Sequence, residues 1–233
     1  MKVSIFQPTY LPWIGFFKAI DWADKFVFLD DVKFKNRSWQ CRNRIKSANG
    51  ELMLTVPVMK KSEQKINEVK IDYSQDWTRK HIKAFEHNYA KTPFFQEYFP
   101  QLKEIFDSRP EKIMDLNILI IKSICSYLEI KTEFCLSSEL GTAQFHKNEK
   151  IIALLKKTKA TDYLYAEGAG EYMQLAADSY RREGITLIPL RFEHPVYQQI
   201  FGNFISHLSI VDLIFNCGRE KSINLLKGID LQS

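Results

Sequence analysis

The chain has 233 residues, 45% of them hydrophobic and 26% charged, with 33 Lys+Arg against 28 Asp+Glu and a net charge of +5. This composition excludes a disordered tail, a disulfide-stapled miniprotein, a collagen-like fibre and an integral membrane protein, and it fits one large globular domain. The modest basic excess favours an anionic small molecule over nucleic acid.

Val3-Ser4-Ile5-Phe6 reads as a short buried strand. Pro8 and Pro12 then forbid its regular continuation by fixing φ and removing donors. From Trp13, apolar residues at helical spacing (Phe16, Phe17, Ile20, Ala23) predict a helix, and Lys25–Leu29 predicts a second strand closed by Asp30-Asp31. A strand, a rigid loop, a helix and a strand make a βαβ unit, whose strand ends are the usual ligand edge of an open α/β sheet.

Residues 32–73 break this rhythm. Trp39–Ile45, Leu52–Val58 and Ile66–Ile71 read as short strands, separated by Ser47-Ala48-Asn49-Gly50 and Lys60-Lys61-Ser62-Glu63. The Asn-Gly pair is a turn signal, and the segment reads as an antiparallel insertion on the sheet. Three helices follow over Thr78–Tyr89, Pro93–Phe106 and Pro110–Leu128, forming a helical layer at 75–128. The α/β alternation returns with strands at Thr132–Leu136, Asp162–Ala166 and Ile185–Phe192. Helices fall between them at Lys147–Lys157 and Glu171–Glu183, and one or two more cover Leu208–Phe215 and Glu220–Leu226. The expected fold is α/β over 1–233: a single domain with a mainly parallel twisted sheet flanked by helices and an antiparallel β insertion.

Several segments fit chemistry. Gln7, Thr9, Tyr10 and Trp13 form a stiff polar and aromatic loop suited to a phosphate or sugar, though the same loop serves as a packed turn. Arg42, Arg44 and Lys46 share one strand face, as a phosphate fork or a solvated edge. Asp30 fits a base or metal ligand, but two adjacent carboxylates on an extended chain point apart, so at most one faces a site. Ser137 and Ser138 follow one strand and Gly168 the next, and a parallel sheet gathers such segments at one edge. Glu193 and His194, after the last strand and beside Pro195, fit a general base, with Tyr197 and Gln199 orienting an acceptor.

No HExxH, Walker or dinucleotide motif occurs, so there is no metal or nicotinamide signature, while a nucleotide or acyl donor is compatible with the pattern. Cys41, Cys125, Cys135 and Cys217 form no CxxC pair, and the start Met1–Pro8 is too short and weakly basic for a signal peptide. The expectation is a cytoplasmic protein with reduced thiols and no membrane insertion.

The opening Ile5-Phe6-Gln7-Pro8-Thr9-Tyr10-Leu11-Pro12-Trp13-Ile14-Gly15-Phe16-Phe17 and the segment Ala23–Phe34 resemble the WbqC-like protein family. So do Trp39, Arg42-Asn43-Arg44-Ile45, Thr55-Val56-Pro57-Val58, Ser137-Ser138-Glu139-Leu140, Phe192–Gln199 and Leu208–Gly218. Cys41 stands where the family pattern carries Asn, which speaks against a catalytic role there. The resemblance implies a place in bacterial surface-polysaccharide (O-antigen) biosynthesis and an activated-sugar substrate, and supplies no catalytic residue to carry over. The implied activity is a transferase modifying a nucleotide-linked sugar, by N-acyl or aminoacyl transfer. The alternatives are a nucleotidylyl or ATP-dependent transferase and a non-catalytic scaffold of glycan assembly. The implied partner is the nucleotide-linked sugar, with no specific nucleic acid; oligomerisation stays open.

Overall fold

Alternation along Lys2–Phe6 buries Val3 and Ile5 on one side and Ser4 on the other, so this first strand (β1) is built to lie inside a sheet covered on both faces. The computed structural model of the chain describes residues 1–59 and 61–228. Lys60, in the expected turn Lys60–Glu63, and residues 229–233 lie outside the described residues. After β1 come α1 (Ile14–Asp21), β2 (Lys25–Phe28), β3 (Arg42–Ser47), β4 (Gly50–Thr55), β5 (Val58–Met59), β6 (Lys70–Ile71), α2 (Trp77–Tyr89) and α3 (Phe95–Asp107). The chain continues through α4 (Ile113–Tyr127), β7 (Glu133–Leu136), α5 (Lys147–Lys157), β8 (Asp162–Ala166), α6 (Gly170–Arg182), β9 (Thr186–Leu190) and α7 (Ile210–Lys227). The protein is α/β, and its residues fall into two compact units, each made of three chain segments.

The first unit comprises Met1–Gln7, Lys18–Val32 and Lys131–Glu193. Its five strands form one sheet in the order β7-β2-β1-β8-β9, and every pairing is parallel, as the helix–strand alternation predicts. One face packs Val3, Ile5, Val27, Tyr163 and Tyr165 against Leu154 and Leu155 of α5 and Met173, Ala176 and Tyr180 of α6. The other face carries Phe6, Phe26, Phe28 and Phe134 in a chain of ring contacts with centroids 5.1–6.1 Å apart. From β1 the chain moves outward to β2 and β7, then returns to β8 and moves outward the other way to β9. The strand order therefore reverses between β1 and β8.

The second unit comprises Pro8–Phe17, Lys33–Ile130 and the chain from His194. Its β3 and β4 form an antiparallel hairpin from Arg42↔Thr55 to Ser47↔Gly50, with Gly50 at φ +100 after the turn, where a side chain would be strained. This corrects the expected insertion on the sheet: among the described residues, β3–β4 and β5–β6 are separate two-stranded sheets with no ladder to the parallel one. The strand expected over Ile66–Ile71 also shortens to β6. The Glu68 carboxylate accepts the Lys65 N–H at 2.9 Å, and this local cap turns Ile66–Glu68 into a single 3-10 turn. The helices pack an aromatic core in which Phe215 of α7 lies 5.0 Å from Phe95 and 6.2 Å from Phe85. The one or two helices expected near the end form α7, kinked at Gly218 (φ +71), where a Cβ would stand 2.6 Å from the Phe94 ring.

Candidate functional site

All five strands of a parallel sheet end on one edge, so the first unit collects there the residues that follow β1, β2, β7, β8 and β9: Gln7, Asp30 and Asp31, Ser137 and Ser138, Gly168, and Glu193. Asp30, Ser137 and Ser138 meet directly. The fully buried Ser137 hydroxyl accepts the Asp30 N–H at 3.1 Å and lies within donating reach of Asp30 Oδ1 (2.9 Å) and of Asp31 Oδ1. The Ser138 N–H donates to Asp30 Oδ1 at 3.0 Å. Asp31 Oδ2 accepts Lys150 Nζ at 2.6 Å, and the same ammonium reaches the Thr142 carbonyl at 3.3 Å. Burial pushes the Asp31 carboxyl up, but the Lys150 and Ser137 hydrogen bonds and the Lys150 charge outweigh it and hold it below its usual value.

Both aspartates therefore engage Ser137, so their side chains do not point apart as extended-chain alternation predicts. They lie past the end of β2, where the chain bends at Asp31, and strand alternation no longer applies. Gln7 is half-buried, Glu193 is exposed, and Gly168 is exposed with nothing within 4 Å of where a Cβ would stand. Lys150 escaped the sequence reading because only the fold turns its helical position inward.

The other candidate residues lie in the second unit. Thr9 is half-buried. Tyr10 is a core residue: it is fully buried and its hydroxyl pairs with His81 Nδ1 at 2.8 Å. Burial pushes His81 down to about 4, with the Thr55 carbonyl opposing.

Trp13 stacks on His194 with ring centres 6.0 Å apart and planes 11° from parallel. His194 Nδ1 lies 2.9 Å from the Pro195 carbonyl, and its Nε2 accepts the His207 N–H at 3.1 Å. Both ring nitrogens of His194 are thus occupied, a pattern that fits the neutral ring with the proton on Nδ1. Burial lowers its pKa, His207 adds to that, and the Pro195 carbonyl opposes it. His207, which the sequence reading passed over, is exposed, sits at φ +58 and lies 4.8 Å from the Trp13 ring and 4.9 Å from that of His194. A left-handed φ at a residue other than glycine is the signal, and it is invisible in sequence.

Tyr197 and Gln199 face inward. Asp212, fully buried, accepts from the Tyr89 hydroxyl, the Tyr197 hydroxyl and Gln199 Nε2, each at 2.8 Å. Burial raises its pKa despite these donors and the nearby Lys46 charge. Lys46 Nζ donates to Gln199 Oε1 at 2.9 Å and to the Asn203 carbonyl, and burial lowers its pKa against the pull of Asp212. Arg44, half-buried, is committed as well: its Nη1 reaches both Glu51 oxygens at 2.8 and 3.0 Å. Arg42 is half-buried on the same strand.

The sequence matches the WbqC-like protein family over residues 7–223, nearly the whole chain and every candidate residue above. The chain belongs to the WbqC-like family. Among its relatives, the uncharacterized protein Rv1507c of Mycobacterium tuberculosis (strain ATCC 25618 / H37Rv) is 34% identical over 225 residues, covering 94% of this WbqC-like chain and 95% of the relative. No solved structure matches it significantly. Among the described residues of this WbqC-like protein, no helix is long and apolar enough to cross a membrane, and no three His, Cys, Asp or Glu side chains are grouped to hold a metal ion.

Proposed function

We propose that this WbqC-like protein is a transferase that modifies a nucleotide-linked sugar at the carboxyl edge of its parallel sheet. One observation carries the reading: the strand order reverses between β1 and β8, and the polar residues after the strands lie on that same edge. Open α/β sheets bind ligands at such a reversal point. The family's association with surface-polysaccharide biosynthesis supports a sugar substrate.

In this reading the open backbone at Gly168 and the N–H groups opening α6 take the diphosphate. The Gln7 amide takes a sugar hydroxyl. Glu193 removes the proton from an attacking sugar amine as the new C–N bond forms, and the acyl or aminoacyl group leaves its carrier. The Asp30–Ser137–Asp31–Lys150 network fixes the ends of β2 and β7 rather than reacting, since its carboxylates are buried and already hydrogen-bonded.

Thermal-shift screening against nucleotide-sugars, ATP with Mg²⁺ and acyl carriers tests the reading. A ligand at 100 times its Kd raises native stability by about 2.7 kcal/mol. The expected result is a rise with nucleotide-sugars that Gly168→Trp abolishes. A rise with ATP and Mg²⁺ alone transfers the reading to nucleotidylyl transfer, and no rise with any nucleotide overturns both.

A further inference from the structure

Around β3 lie a ring and a guanidinium that the carboxyl-edge site does not use. Trp39 is 47% exposed, yet its backbone is pinned by the Tyr10 N–H, which its carbonyl accepts at 2.8 Å. The Arg44 guanidinium lies 5.4 Å from the centre of the indole. That guanidinium is fixed from two sides, by both Glu51 oxygens and by the His207 carbonyl, which accepts from Nη2 at 3.3 Å. Glu51 neutralises the Arg44 charge, so Arg44 serves as a prop that holds a tryptophan ring open to solvent.

Arg42 is different. It stands two residues earlier on the same face of β3; the buried Nε–H of each arginine lacks a partner among the described residues, but the Nη groups of Arg44 are hydrogen-bonded and those of Arg42 are not. No carboxylate pairs with it among the described residues, whereas Arg44 has Glu51. A half-buried guanidinium without an acceptor is complementary to an anion that can take two of its N–H groups, as a phosphate does.

We propose that the Arg42–Arg44 face of β3 binds a phosphorylated ring compound, with Arg42 holding the phosphate and Trp39 stacking on the ring. A sugar phosphate and a nucleoside monophosphate share this chemistry. A ring lies flat on an indole through its C–H groups or its π face. The site belongs to the second unit and does not rest on the carboxyl-edge reading.

Calorimetric titration of the full chain with inorganic phosphate, glucose 1-phosphate and uridine monophosphate tests it. At least one ring phosphate is expected to bind at least tenfold more tightly than inorganic phosphate. Arg42→Gln should weaken that binding at least tenfold. Trp39→Ala should reduce it to the level of inorganic phosphate, and Trp39→Phe should restore much of it. A preference for glucose 1-phosphate assigns the site to sugars, and a preference for uridine monophosphate assigns it to nucleotides. Should the glutamine variant fail to fold, Arg42→Lys keeps the charge, loses the fork and should still weaken binding severalfold. Unchanged affinity in the Arg42 variants, or inorganic phosphate binding as well as both ring compounds, overturns the proposal. So does binding that Gly168→Trp abolishes and Arg42→Gln leaves intact, which places the phosphate at the sheet edge instead.

Discussion

Each unit contains a buried lysine beside a buried aspartate, and the two solutions differ. In the first, Lys150 touches Asp31 directly at 2.6 Å, and the carboxylate is driven below its usual pKa. In the second, Lys46 and Asp212 are joined through the Gln199 side chain, which accepts from the lysine with one end and donates to the aspartate with the other. There burial wins on both partners: Asp212 is raised and Lys46 lowered. A direct contact lets Coulomb attraction offset desolvation; an amide between the charges satisfies their hydrogen bonds but not the loss of hydration.

The largest test of this contrast is Lys150→Met, which leaves Asp31 buried without its cation and should cost roughly 3–5 kcal/mol in denaturant unfolding. Lys156 and Glu183 make the ideal comparison, since they also lie 2.6 Å apart but with side chains 58% and 39% exposed. Lys156→Met should cost about 1 kcal/mol or less. Equal losses from the two would break the claim that burial, not distance, sets the value of the pair. The double variant Asp31→Leu/Lys150→Met should recover most of the loss.

Gln199→Leu comes next, at roughly 2–3 kcal/mol, because it strips one buried hydrogen bond from each charge. A near-neutral result would mean that Lys46 and Asp212 close on each other once the amide is gone.

The smallest effect, and the sharpest in sign, is in pH. Asp31 is depressed in the fold, so its stabilisation is present above the ordinary Asp pKa and disappears as pH falls through its lower folded value. Asp212 is raised, so its ionised form costs stability at neutral pH, and that cost is relieved as pH falls through its folded value. Subtracting the stability–pH curves of Asp31→Asn and Asp212→Asn from the wild type should give differences of opposite slope. Parallel differences would remove the distinction between the two networks.

Periodicity made much of the fold legible. Helix α5 runs over Lys147–Lys157, as its apolar spacing predicts, and the five strands read from alternation and short apolar runs all join one parallel sheet. The misreadings come from contacts that spacing cannot report. Alternation alone puts the hairpin β3–β4 on the main sheet, because a strand does not encode its neighbour. The candidate site divides in the same way. Asp30, Ser137 and Ser138 were legible because strand ends of a parallel sheet converge by topology alone. Tyr10, Tyr197 and Gln199 have side chains suited to a ligand, but His81 and Asp212 take those groups inward. Lys46, Lys150 and Asp212 carry no local sign of burial, since their partners lie far along the chain.

The alternation of chain segments between the two units bears on how the protein is made. The middle strand of the parallel sheet, β1, leaves the ribosome well before its neighbour β8, which covers one of its edges and begins only at Asp162. At ordinary synthesis rates that gap is on the order of ten seconds. Throughout it the nascent chain holds a βαβ hook with one open, apolar strand edge, the kind of edge that pairs with the wrong chain. The residues between β2 and β8 therefore emerge while that edge of β1 still lacks its partner.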